Sequence, residues 1–211
     1  MPRLIDIGLE RISDILMEMA SLSEKSVSSS IEAYSSGKEQ ASEIRSLSDE
    51  IRHLQEDVSE LAIDIIARYQ PVASDLRFIK AALDISYGFS RVGRYAYDIA
   101  EVLELCGDVS ACDKSTVELT SNTTKEMIRM SVEAFADRDV ELAKNVQKLD
   151  DFVDDKFRET IDKMVHGKYQ DIKCAISEAL IMRYLERISD HSSYIGDSVV
   201  YIVTGEVAPR K

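Results

Sequence analysis

The stretch Arg68-Tyr69-Gln70-Pro71-Val72-Ala73-Ser74-Asp75-Leu76-Arg77 interrupts one long helical pattern and opens another. Before it, Ile44, Leu47, Ile51, Leu54, Val58, Leu61 and Ile65 recur at steps of three and four, the spacing that keeps one helix face towards a partner. Pro71 breaks that run. Its fixed φ and missing N–H suit a first helical turn, so a third helix is expected to start there and reach about Leu105. Gly107 and Asp108 end it, and the segment to about Asp113 reads as a linker.

The same periodicity extends in both directions. A first helix runs from about Leu4 through Ile5, Leu9, Ile12, Leu16 and Met19 and fades in the serine-rich stretch near Ser28–Ser30. A fourth, from about Ser115 to Phe135, carries Leu119, Thr123, Met127 and Met130 and leaves through the turn at Asp137–Asp139. The fifth reads Leu142, Val146, Leu149, Val153, Phe157, Ile161 and Met164 and stops at Gly167. The sixth starts near Asp171, with Leu185, Ile188, Ser192, Ile195, Val199 and Ile202 in register. Helix, loop, helix, tight turn, long helix therefore occurs twice, at a period of roughly 105 residues, far too long for a solenoid unit. The pattern implies an all-α protein of six helices in two related three-helix bundles, residues 1–107 and 114–205.

Composition agrees. Among 211 residues there are 8 glycines, 3 prolines and no tryptophan, with 45% hydrophobic content, which favours long helices and a packed core. A formal charge of −13, without a Lys/Arg run, disfavours nucleic acid and anionic lipid surfaces and favours cations wherever acids cluster. Cys106, Cys112 and Cys174 form no CxxC pair, are odd in number and lack zinc-ligand spacing, so they read as reduced thiols. The N-terminal charges come too early for a secretory signal, and no stretch approaches the roughly 18 apolar residues needed to span a bilayer. A cytoplasmic protein without membrane insertion is expected.

The acids worth singling out lie on the fifth and sixth helices. Asp150 and Asp154 are one turn apart, as are Glu186 and Asp190, so each pair shares a helix face at the edge of its apolar stripe. In an antiparallel hairpin, residues face each other when their numbers average to the turn centre. Asp154 with Glu186 and Asp150 with Asp190 both average to 170, inside the expected turn, which places four carboxylates at matching heights. Such convergence is relieved by raised pKa values or by a bound cation. Oxygen donors suit Mg, Ca or Mn, and Fe and Zn accept them too. Paired helical acids are also common as plain surface matched to lysine or arginine, and Lys156, Arg183 and Arg187 are nearby in sequence.

The junction at Arg68–Arg77, the segment Leu-Glu-Arg-Ile-Ser-Asp at Leu185–Asp190 and the turn Ala-Phe-Ala-Asp-Arg-Asp at Ala134–Asp139 resemble the PhoU family, whose members show an RQPxAxDLR-like junction and ERIGD-like helices. The resemblance covers nearly the whole chain. It implies a pair of three-helix bundles whose E(D)xxxD motifs hold iron or zinc clusters, so the metal ligands carried over are Asp150, Asp154, Glu186 and Asp190, with Mn or Mg as further candidate ions. The glycine of ERIGD is Ser189 here, and a usual later Asn is Tyr194. In the first half, the corresponding positions hold Ser48, Arg52, Ser90 and Arg94, which again average to 71, so that half is expected to bind no cluster.

The resemblance further implies a non-enzymatic negative regulator of phosphate uptake and signalling. Its partners would be the phosphate ABC transporter ATPase or a phosphate sensor, with peripheral membrane association through the transporter and a homodimeric state. An accessory protein of a different phosphate permease, and a metal-storage or metal-sensing protein, are the competing functions. A helical di-iron enzyme finds little support: Glu50–His53 is the one Glu-x-x-His match, and there is no P-loop, Rossmann fingerprint or nucleophile elbow. The hexapeptide Leu-Glu-Arg-Ile-Ser-Asp recurs at Leu9–Asp14, but Glu10 and Asp14 have no identifiable partner pair and read as surface, while His191 reads as structural rather than as a support for Asp190.

Overall fold

The computed structural model describes residues 3–37 and 40–207, so the 1–107 range begins two residues before the described chain. It holds six α-helices: α1 (Leu4–Ser36), α2 (Ala41–Tyr69), α3 (Ala73–Cys106), α4 (Ser115–Asp137), α5 (Val140–Val165) and α6 (Ile172–Thr204). No strand occurs among the described residues. The all-α, six-helix reading of the sequence is met.

Two helix ends differ from expectation, each for a physical reason. Pro71 lies outside α3, because Val72 after it is extended (φ −129°, ψ 165°) and forms the N-cap, while the restriction on the residue before a proline ends α2 at Tyr69. Gln70 takes the left-handed conformation (φ 46°), its N–H bonds to the Ile66 carbonyl, and α3 begins two residues after the proline. Helix α1 does not fade at Ser28–Ser30 but runs on to Ser36, capped by Gly37 at φ 71°. The serines there are packing residues: Ser23, Ser26 and Ser30 are fully buried, in line with Val27, Ile31 and Tyr34. The Ser30 hydroxyl donates to the Val27 carbonyl (2.9 Å), which satisfies it inside its own helix.

Helix α1 is also cross-linked to α4. Arg129 is paired with Glu24, and the Ser35 hydroxyl donates to Glu118 (2.9 Å), so the two helices run antiparallel. Helix α4 buries Thr120, Ser121, Thr124 and Ser131. Small hydroxyl side chains on both helices allow close approach across the two halves.

Within each half the three helices pack on one another, and α3 also lies along α6. The core accordingly does not divide at the linker. One apolar cluster runs from Ile5 through Ile51, Ile79 and Phe89 to Leu185, Ile195 and Ile202. Each such fully buried side chain contributes about 1.5–3 kcal/mol. Helix α5 is bound to this body through two smaller clusters, Met127–Val146–Val153 and Ala134–Ala143–Val199.

The cysteine expectation is corrected. Cys112, in the linker, and Cys174, in the first turn of α6, form a disulfide with Cα atoms 5.4 Å apart, leaving Cys106 free. Sequence spacing could not disclose the pair, because it is made by the fold: the N-terminal end of α6 lies against the linker, where Lys173 donates to the Asp108 carbonyl (3.2 Å).

Candidate metal centre

Helices α5 and α6 are fixed at both ends of their hairpin. Asp139 caps α5 by accepting from the Glu141 and Leu142 amides at 2.9 Å, and Asp171 caps α6 by accepting from Lys173 at 2.8 Å. Farther along, a Cβ on Gly196 would lie 2.9 Å from the Ala143 carbonyl oxygen, so glycine is what permits α6 to close on the α5 backbone. This sets the spacing of the acids on the two helices.

Of the four sequence-selected carboxylates, three converge. Oxygens of Asp150, Asp154 and Asp190 all lie within 4.8 Å of one another, and among the described residues this is the one acid, His or Cys group so placed. Glu186 stands one turn from Asp190, but its carboxylate turns to arginine: it accepts from Arg183 at 2.9 Å and from Arg187 at 2.9 and 3.1 Å. Arg187 also reaches Asp190 (3.2 Å) and bridges the two acids. Arg158 borders Asp154 at 3.5 Å.

Asp150 is 3% exposed, beside Met127, Val146 and Val153. A carboxylate so buried must be hydrogen-bonded, and Ser189 supplies one donor, with its hydroxyl 2.7 Å from Asp150 and 3.1 Å from the Met127 sulfur. Ser189 holds the position that is glycine in the resembled motif. Its role was missed in the sequence, although a hydroxyl one residue before Asp190 on the face towards α5 was the available signal.

Burial, and then the neighbouring Glu186, push the Asp190 carboxyl up to about 6, opposed by Arg187. The site thus holds mutually repelling acids whose charge arginine offsets only in part. Three hard oxygen donors close together suit a divalent or trivalent cation, and the donor chemistry therefore fits a metal held by Asp150, Asp154 and Asp190. Glu186 is available as a fourth ligand if it leaves its arginines.

The other candidates fall elsewhere. His191 packs among Tyr87, Tyr95 and Tyr194 with ring centroids 5.7–6.0 Å apart, and burial lowers its pKa to about 4, so it is a neutral packing ring. His53 is exposed beside Arg52. At the first-half positions, Ser48, Arg52, Ser90 and Arg94 do line a common groove between α2 and α3, and Arg94 is paired with Asp98 at 2.7 Å.

These features define a class: a doubled three-helix scaffold with a carboxylate cluster on one half and arginines at the matching place on the other. Comparison with known proteins then gives the family. The PhoU domain model matches residues 16–103 and again 117–199. The chain is 33% identical over 150 residues, 69% of its length, to a phosphate-specific transport system accessory protein PhoU homolog of Methanothermobacter thermautotrophicus, covering 68% of that protein. It is 28% identical over 211 residues to the homolog of Clostridium acetobutylicum, covering 97% of this chain and 96% of that one. The crystal structure of PhoU from Pseudomonas aeruginosa superposes with a TM-score of 0.86 at 29% identity, over 95% of this chain and 99% of that one. The chain belongs to the PhoU family.

Proposed function

We propose that this protein is an accessory regulator of phosphate transport. It restrains the phosphate ABC transporter from the cytoplasmic side and binds a metal, iron or zinc in the first instance, through Asp150, Asp154 and Asp190. The observation that carries the reading is the triad itself: three carboxylates within 4.8 Å on a scaffold whose two halves both match the PhoU domain. The regulatory role is supported by the named relatives, which are accessory proteins of phosphate transport. No helix among the described residues is long and apolar enough to cross a membrane, so contact with a transporter would be made by surface docking.

An exposed apolar end is available for such docking. Leu4, Ile7, Ile66, Val72 and Leu76 are all at least 40% exposed. They are brought together because Arg3 pairs with Asp75 (2.8 Å) and Gly8 sits against Ile65. Exposed apolar side chains of this kind suit an interaction face, and we assign them to docking on the transporter ATPase.

The test is phosphate uptake and phosphate-responsive transcription in a strain lacking the gene, grown with plentiful phosphate. Raised uptake is expected. Unchanged uptake together with unchanged transcription removes the regulatory reading, and a phenotype that follows metal supply instead would favour a metal-sensing protein.

A further inference from the structure

The first-half counterpart of the acid cluster is a groove lined by arginine and serine. Arg45, Ser48 and Arg52 of α2 face Ser90, Arg91 and Arg94 of α3 around a cavity of about 570 Å³. Two acids, Asp49 and Glu101, share the lining, so four guanidinium groups meet two carboxylates in a chain whose net charge is −13. A cation has no place there. Glu56 and Asp98, which pair with Arg52 and Arg94 from beside the groove, balance the remaining charge, so what the concavity offers an anion is a concentration of guanidinium and hydroxyl donors rather than a net positive charge.

The arginines are held ready by contacts that leave donors over. Arg52 is tethered by Glu56 (2.6 Å), Arg94 by Asp98 (2.7 Å) and Glu101 (3.4 Å), and Arg91 by the Tyr95 hydroxyl (2.8 Å), over whose ring it lies at 4.6 Å. Each guanidinium has five N–H donors, and these contacts occupy one or two of them. The groove walls are equally fixed. A Cβ on Gly93 would lie 2.8 Å from Ile51 Cδ1 and 3.6 Å from Ser48 Cα, so glycine brings the two helices together beside the serines.

The ligand class follows from the donor set. One arginine suffices for a carboxylate, bound in a two-pronged fork. Four arginines with two hydroxyls match an anion carrying several oxygens and at least two charges, as phosphoryl groups do. The cavity exceeds one orthophosphate and lies within the usual range of small-molecule sites.

We propose that the α2–α3 groove binds a small phosphoryl anion through Arg45, Arg52, Arg91 and Arg94, with the Ser48 and Ser90 hydroxyls as further donors. The inference rests on these side chains and is independent of the metal and of the regulatory role. Isothermal titration of chelator-treated protein at low ionic strength tests it, with orthophosphate, pyrophosphate and metal-free ATP as probes and acetate as control. Saturable one-site binding of at least one phosphoryl probe is expected, and the tightest probe identifies its source as free phosphate, an oligophosphate or a nucleotide. Arg52→Gln with Arg94→Gln should weaken it by about tenfold or more, Ser48→Ala with Ser90→Ala by less, and Asp154→Asn with Asp190→Asn not at all. All are surface or rim changes whose folding is verified by circular dichroism. No saturable binding of any phosphoryl probe, full retention in the arginine variant, or equal binding of acetate would overturn the proposal.

Discussion

Replacing Ser189 by alanine probes the least expected part of the proposed metal centre. Ser189 is fully buried, and its hydroxyl stands 2.7 Å from an oxygen of Asp150, a residue only 3% exposed. A hydrogen bond to a charged acceptor contributes about 1.5–3 kcal/mol. Against this, alanine is the better helix former by about 0.5 kcal/mol. Ser189→Ala should therefore destabilise the metal-free protein by roughly 1–2.5 kcal/mol, and Ser189→Gly by about 1 kcal/mol more, since glycine costs that much inside a helix. Urea unfolding with chelator present measures both. Because Asp150 has other interactions too, the decisive quantity is the coupling in a cycle of Ser189→Ala, Asp150→Asn and the double variant, expected at about 1 kcal/mol or more. Additivity within about 0.5 kcal/mol would refute the assignment of Ser189 as the donor that orients Asp150. Metal affinity should fall as well, by about tenfold, as when a group supporting a ligand is removed.

Metal content should be asymmetric: elemental analysis should find bound metal largely lost in Asp154→Asn with Asp190→Asn and retained in Ser90→Ala with Arg94→Ala, and equal content would mean the acid cluster is surface charge only. Thiol titration of the unfolded, unreduced chain should count one thiol, Cys106; the bridge across a separation of 62 residues contributes about 4 kcal/mol by chain entropy, so Cys112→Ser should lower stability markedly, and three thiols would contradict the bridge. Glu178 is 6% exposed, and burial raises its pKa above 4.5 despite the Tyr169 hydroxyl and Lys163. The folded chain thus keeps a proton that the unfolded chain releases, and stability should fall as pH rises from about 4.5 through the raised value. Glu178→Gln should abolish that slope and be the more stable protein at neutral pH; an unchanged stability profile would count against a buried, proton-holding Glu178.

How much of this was legible depends on whether a feature is local. The six helices were, because period and turn residues are written along the chain: Pro71, Gly107 and Gly167 each stand at or near a real boundary. The heights of the acids were too, since an antiparallel hairpin fixes them by arithmetic, and Asp150, Asp154 and Asp190 do meet. What arithmetic cannot give is the choice a side chain makes at its own height. Glu186 was placed correctly on α6 but bonds to Arg183 and Arg187, its near neighbours on the same helix, which are closer partners than three repelling carboxylates. The serines of α1 misled for a related reason. Serine is a helix-edge residue by propensity, yet Ser23, Ser26 and Ser30 are buried in the helix interior, which only tertiary packing of α1 against other helices explains. The disulfide lies beyond any local reading, as it joins the linker to α6.

The two halves together show what duplication permits. Both hairpins place two helix pairs of side chains at matched heights about their turns, and the backbone does so whatever the residues are. In the second half those positions carry acids, partly neutralised by Arg187, with a pKa at Asp190 raised to about 6. In the first half they carry two serines and two arginines, joined by Arg45 and Arg91 from flanking turns. Exchange of four side chains therefore changes the donors of a site from carboxylate to guanidinium and hydroxyl without moving a helix, because the stripes that hold the helices, which include Ile51, Phe89, Leu185 and Ile195, lie in the core rather than in the groove. Fold and site are for that reason separable here: with an anion at α2–α3 and a cation at α5–α6, as proposed, variants in either groove should leave the other's binding intact.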